Sequence, residues 1–321
     1  IQIAKRGARI ISSNTFDNFQ ARLYVNTYLN NKLYYPLPSI SFSSKQYDLI
    51  HKAYIPQAIS SMGYNRTWPL ALRYGIHDYG GVQLKHCEVE ALIRKIKAIQ
   101  NLIVKPDSSN LIILLINWYQ HASGTTYPIL ENPPHLPKYV NSVWMTNFVS
   151  LLSKYNIQIK IPNLFLPKKQ RYNDSCLMDT ILNSYRSINQ LKQLNACRLY
   201  LQVTFLSDIT TIDGKFLLPG VIDGTNENIP TSKLEWPNQN SPDKKTWKLW
   251  SQTITSIYCV SKHSTTIRRN CILGHWTSEL KERLRLHSFY FSPSLDEIYE
   301  TKTNGFNQYF ANKIGTRQYN I

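Results

Sequence analysis

The segment "KHCEVEALIRKIKAIQNLIV" (Lys85 to Val104) sets Val89, Leu92, Ile93, Ile96, Ile99 and Ile103 at a helical period, with Arg94, Lys95 and Lys97 on the other side. Such a stripe predicts one long amphipathic helix, and its basic face is a candidate contact for phosphates. Helical patterning extends in both directions. Upstream, Phe16, Phe19, Leu23, Tyr24 and Tyr28 follow a start signal of Ser13, Asn14 and Thr15 and predict a helix to Asn31. "YYPLPSISF" (Tyr34 to Phe42) breaks it at Pro36 and Pro38. A second helix then starts from a Ser43/Ser44 cap, with Leu49, Ile50, Ala53 and Tyr54 on one face. Downstream, helices are expected over 109–121, ending near Gly124, over 143–155, through "DSCLMDTILNSY" and "NQLKQLNACRLYLQVTFLSDI", and in "WKLWSQTITSIYCV".

Between helices, "NIQIKIPNLF" alternates and reads as extended. "TTIDGKFLLPGVIDG" through "EWPNQNSPDKKTW" is turn-rich and reads as partly β, and "HSFYFSPSLDEIYE" reads as two short strands around a Ser-Pro-Ser turn. The expected class is mainly α with a small β component (α+β). A helical region over 1–126 carries a glycine-rich loop, a proline-rich linker spans 127–139, and a helical C-terminal region with a small β part occupies 140–321.

The 321 residues are 42% hydrophobic, enough for a packed core, and carry 37 Lys+Arg against 20 Asp+Glu, a formal charge of +17. That balance makes a polyanion the leading partner. Tyrosines interleave with cations in "RLYVNTYLNNKLYYPL" (Arg22 to Leu37), a mixture suited to base stacking. The five cysteines are odd in number and widely spaced, so no disulfide framework is written and a reducing, intracellular setting in nucleus or cytoplasm is expected. The longest apolar run, "LIILLI" (Leu111 to Ile116), falls well short of the roughly 20 residues that cross a bilayer, so no membrane partner is expected.

Chemistry-bearing constellations are sparse. Cys259 with His263 and Cys271 with His275 form two Cys/His pairs, a weak candidate for zinc because the spacing fits no standard finger and Gly274 interrupts the second pair. Asp174 with Asp179, and Asp208 with Asp213 and Asp223, are the local acidic groupings, and the latter read as turn residues. No nucleophile elbow, P-loop or dinucleotide fingerprint occurs. His77 and Asp78, adjacent in a turn, are structural.

The stretch "MGYNRTWPLALRYGIHDYGGVQL" (Met62 to Leu84) packs Gly63, Pro69, Gly75, Gly80 and Gly81 among aromatic and basic residues. Taken with Leu33 to Leu37, Gly63 to Pro69, then Tyr74, Gly75, Gly80, Gly81 and Leu84, it resembles the region downstream of the palm in reverse-transcriptase-like proteins of non-LTR-type retroelements. "NACRLYLQVTFLSDITTIDGK", "WKLWSQTI" and "LGHW" (Leu273 to Trp276) resemble the C-terminal part of the same proteins. The resemblance implies a retrotransposon-derived, thumb-like piece of an RNA-directed DNA polymerase that binds an RNA–DNA hybrid. The parent enzyme would use Mg, and the missing palm would be a partner. No Asp-Asp dipeptide occurs, so no catalytic residue is assigned. With Ile1 in place of an initiator, the chain reads as a fragment starting after the palm. Arg66, Arg73, Lys85, Arg94, Lys95 and Lys97 are then expected to face phosphates, with Tyr64 or Trp68 stacking near the primer or anchoring the loop. The alternatives are a metal-dependent nuclease using Asp174, Asp179, Asp208 and Asp213, or an inactive relic.

Overall fold

The computed structural model describes residues 1–13, 16–161, 164, 166–184, 187–211, 213–225, 241–262, 264–276, 289–292 and 297–300, and over these the chain is mainly helical. It forms two compact units. Ile1–Ile116 with Leu130–Asn132 and Ser142–Lys160 make the first, and Asn117–Ile129 with Pro133–Asn141 and Ile161–Ile321 the second.

The first unit opens with α1 (Gln2–Ser13), which buries Ala4, Gly7, Ala8 and Ile11 along one stripe and exposes Lys5, Arg6 and Arg9. Sequence patterning does not mark this helix, because its buried stripe is mostly Ala and Gly. Asp17 then caps α2 (Asn18–Leu23), accepting from Gln20 N at 2.7 Å while the Gln20 side chain accepts from Asp17 N. The chain widens into a π-helix (Tyr24–Leu29) before α3 (Asn30–Tyr34). The Thr27 hydroxyl donates to Leu23 O at 2.6 Å, occupying the acceptor that Thr27 N–H would use in an α-helix. The buried stripe here is Ala21, Val25, Leu29 and Leu33. The expected stripe is therefore on the wrong side: Phe19, Leu23 and Tyr28 are exposed.

Ser43 caps α4 (Ser44–Ser61) through a capping box with Gln46. The face of α4 that enters the core is Tyr47, Ile50, His51, Tyr54, Ile55, Ala58 and Ile59, while Leu49 points outward. Short α5 (Leu70–Tyr74) lies in the glycine-rich loop, α6 (Cys87–Val104) follows it, and α7 (Pro106–Ser123) and α8 (Val143–Lys154) come next. Helix α4 packs on α1 and α6, and α6 also packs on α8. At the start of α6 the buried Glu88 accepts from Lys154 Nζ at 2.6 Å, Ser44 Oγ at 2.7 Å and Tyr155 OH at 3.0 Å. Burial by itself raises the pKa of this carboxyl, but the hydrogen bonds from Lys154, Ser44 and Tyr155 outweigh it and hold the group below its ordinary value.

In the second unit, α9 (Leu177–Ser184) precedes α10 (Ile188–Leu201), α11 (Pro219–Ile222) and α12 (Lys244–Tyr258), with α12 packed on α10 and α11. Trp250 is fully buried and donates to Val221 O at 3.1 Å. Arg198, 1% exposed, donates to the carbonyls of His121, Ala122 and Val203 and to Asn195 Oδ1. The proline-rich stretch is packed rather than solvated, with Ile129 and Tyr139 buried. Gln120 donates to Thr125 O and Tyr127 O and accepts from Ile129 N. Strand β1 (Phe289–Ser292) pairs antiparallel with β2 (Glu297–Glu300), Phe289 opposite Glu300. Elsewhere among the described residues pairing is limited to single bridges, such as Thr210 with Leu217, and residues 226–240 of the turn-rich stretch lie outside the described residues. No helix among the described residues is long and apolar enough to cross a membrane.

Candidate nucleic-acid interface

The glycine-rich loop closes on itself. After α5 the chain makes a short 3-10 turn (His77–Tyr79) and doubles back. Val82 N donates to Leu72 O at 2.8 Å, Leu84 N to Arg73 O at 2.9 Å and Gln83 N to Gly75 O at 3.0 Å. A Cβ at Gly81 would collide with the carbonyl of Gly75. The close approach that glycine permits is thus to the loop's own backbone.

The expected phosphate contacts separate into distinct groups. Arg66, Lys85 and Lys97 are exposed. Arg73 instead pins the loop, its Nε donating to Trp68 O at 2.6 Å and its Nη2 to Arg66 O at 3.1 Å. Arg94 is half-buried, paired with Glu90 at 3.5 Å and lying over the Tyr34 ring. Lys95 cannot face a phosphate. It is fully buried because the inward face of α6 is Cys87, Glu88, Ala91, Leu92, Lys95 and Ile99, whereas Ile93 points out. Tyr64 and Trp68 are half-buried, with rings 5.3 Å apart against the core, so both anchor the loop. Arg22 of α2 reaches across to Tyr64 OH and His77 Nε2, which joins that helix to the loop.

Beneath the loop, His51 Nε2 accepts from Cys87 N at 2.6 Å, which leaves Nδ1 as the protonated nitrogen facing Tyr74 OH at 3.0 Å. Burial, with the neighbouring His86 adding to it, lowers the His51 pKa to about 4. The ring is neutral and serves as a strut.

Each of the acidic groups accepts hydrogen bonds. Asp174 accepts from Ser175 N, Ser207 N and Ser207 Oγ, and Asp208 from Thr204 N and Phe205 N. Asp179 accepts from Thr126 Oγ1, and Asp213 from Thr211 Oγ1 and Lys215 N. The partners of Asp208 and Asp213 are those of turns, whereas Asp174 and Asp179 are held by hydroxyls of Ser207 and Thr126 from distant segments. Cys259 is buried, Cys271 half-buried and His275 exposed, while His263 lies outside the described residues. No group of three metal-binding side chains forms among the described residues.

Sequence patterning missed the cations of α1. Lys5, Arg6 and Arg9 line its outer face, and neither they nor Arg66, Lys85 and Lys97 form an ion pair with a carboxylate among the described residues. The signal available was the spacing of Ala4, Gly7, Ala8 and Ile11. In comparisons with known proteins, the chain matches no family model, no curated protein and no solved structure.

Proposed function

We infer that this protein binds nucleic acid through its phosphates and carries no polymerase active site of its own. The observation that carries this reading is the outer face of α1, where Lys5, Arg6 and Arg9 stand exposed without ion-pair partners among the described residues, in a chain of formal charge +17. Arg66, Lys85 and Lys97 add exposed charge to the same unit. The narrower reading is that of the template-primer-binding part of a retroelement reverse transcriptase, a helical thumb-like scaffold with a small β component. It is supported by the motifs from Leu33 to Leu84, while the absence of an Asp-Asp dipeptide departs from the catalytic part of that family. RNA-directed synthesis and its Mg would then belong to a palm region acting as partner.

The test is fluorescence-anisotropy titration with an RNA–DNA hybrid, a DNA duplex and single-stranded RNA across a salt series, with Lys5, Arg6 and Arg9 each changed to Glu. Log affinity should fall linearly with log salt, and each reversal should flatten the slope by about one phosphate contact. A salt-indifferent complex, or slopes untouched by the reversals, would overturn this reading. Cleavage of the probes on adding Mg, lost in Asp208→Ala, would favour the nuclease alternative, and absence of binding would point to a relic.

A further inference from the structure

The segment from α2 through the π-helix to α3 bears apolar residues on two stripes. Ala21, Val25, Leu29 and Leu33 enter the core, and a surface helix needs no more than that. The second stripe is left outside or half out: Phe19 is 72% exposed, Tyr28 52% and, beyond α3, Tyr35 84%, with Tyr24 half-buried.

This outer stripe is organised. The Phe16 and Tyr24 rings lie 5.6 Å apart at 32°, and Tyr24 and Tyr28 stack at 5.3 Å and 29°. Lys32 continues the row, its Nζ 5.4 Å from the Tyr28 ring centre and donating to Tyr28 OH at 3.4 Å. The π-helix explains the stacking. Its i→i+5 hydrogen bonds widen the turn, so side chains four residues apart stand almost directly above one another instead of stepping round the axis. Helix α1 supplies the flank, and Gly7 lets it come close, since a Cβ there would collide with Leu29. Arg6 is near enough to Tyr24 for its charge to offset part of the pKa rise that burial and Tyr28 impose on that phenol.

We propose that Tyr28, stacked from behind on Tyr24 and with Lys32 at its hydroxyl, heads a stacking rail for unpaired bases of a single-stranded nucleic acid, with Lys32 and Arg6 on its phosphates. The inference rests on the nucleic-acid reading above and narrows it to single strands. Charge complementarity selects the occupant, because exposed Arg6 lies near Tyr24 and exposed Lys32 at Tyr28, on a unit that also exposes Lys5 and Arg9. Ring geometry selects its form, because a duplex hides its base faces while a single strand offers one π-face per nucleotide.

The experiment uses the intact chain and fluorescein-labelled oligo(U), oligo(dT) and a blunt DNA duplex of equal length, at physiological salt. Tyr28→Ala should weaken both single strands about tenfold or more and leave the duplex within about twofold, whereas Tyr28→Phe retains stacking and parent affinity. Tyr28 is exposed, so its truncation leaves the core intact. Tighter binding of the duplex, or single-strand affinity unmoved by Tyr28→Ala, would overturn the rail while leaving phosphate binding standing. Failure to bind any of the probes would overturn both.

Discussion

Lys95 is 0% exposed, with its ammonium 4.8 Å from the centre of the Trp144 ring and 3.1 Å from Asn147 Oδ1. No described carboxylate pairs with it, and burial lowers its pKa from 10.5 to about 8. At about 1.4 kcal/mol per pH unit, that displacement corresponds to a cost of about 3 kcal/mol for keeping the charge here at neutral pH. The unfolded chain holds this proton to a higher pH than the folded one does. The penalty is therefore complete below about pH 8 and fades between there and 10.5, so this group makes stability rise with pH over that window. Lys95→Met keeps the apolar stem and removes the charge. It should stabilise the protein by about 1–3 kcal/mol at pH 7, and by much less near pH 10. Urea unfolding followed by tryptophan emission at both pH values measures the difference between variant and parent. A variant less stable than the parent by the same amount at both would refute the reasoning, because it would mean that the Trp144 face and Asn147 fully replace the water the ammonium has lost.

Gly124 has φ +67, and a Cβ there would lie 2.6 Å from Arg198 Cζ, so Gly124→Ala should lose about 2–4 kcal/mol, read as a lower thermal midpoint. Burial raises the pKa of Asp208 from 3.8 to about 7, against the Phe205 and Thr204 N–H groups that lower it. The stability from this group is therefore complete below about pH 4 and lost as the pH rises through about 7, so Asp208→Asn should flatten the stability profile over that range in urea titrations. Gly81→Ala should open the loop against the Gly75 carbonyl and speed tryptic cleavage after Arg73 or Lys85 with helical circular dichroism retained; unchanged cleavage would mean that the loop shifts without opening.

The helices most legible in the sequence are those specified locally. Ser43 with Gln46 marks the start of α4, and the spacing of Leu92 and Ile99 marks α6, because caps and period act within a few residues. Facing is less legible. Between Phe16 and Tyr34 two apolar stripes compete, and the choice falls to the one that carries Leu29, on which α1 closes through Gly7, a contact with a segment whose own stripe of Ala and Gly is faint. The phosphate-facing assignment of Lys95 fails for a related reason. Its partners, Trp144 and Asn147, arrive from α8, about fifty positions on, and no pattern within α6 announces them. Likewise the crowding of glycines between Met62 and Leu84 reads equally as a cradle for a ligand or as a turn packed on itself. The Gly81 contact with Gly75 and the loop's own backbone hydrogen bonds separate the two.

The buried charges bear on how far the net charge argues for a polyanion. Lys95, Arg171 and Arg198 are buried on one side of the balance, and Glu88 and Asp174 on the other. Among the described residues the core therefore holds one more cation than it holds carboxylates, and it withdraws little of the positive excess. A surface of that kind attracts nucleic acid at long range, yet a salt slope counts only the cations that displace counterions at contact. Reversing Lys5, Arg6 and Arg9 together should therefore remove about three units of slope and no more. If the slope collapses beyond that, the reversals have redirected the strand away from the rest of the unit, and α1 is the entry to the binding surface and not merely one edge of it.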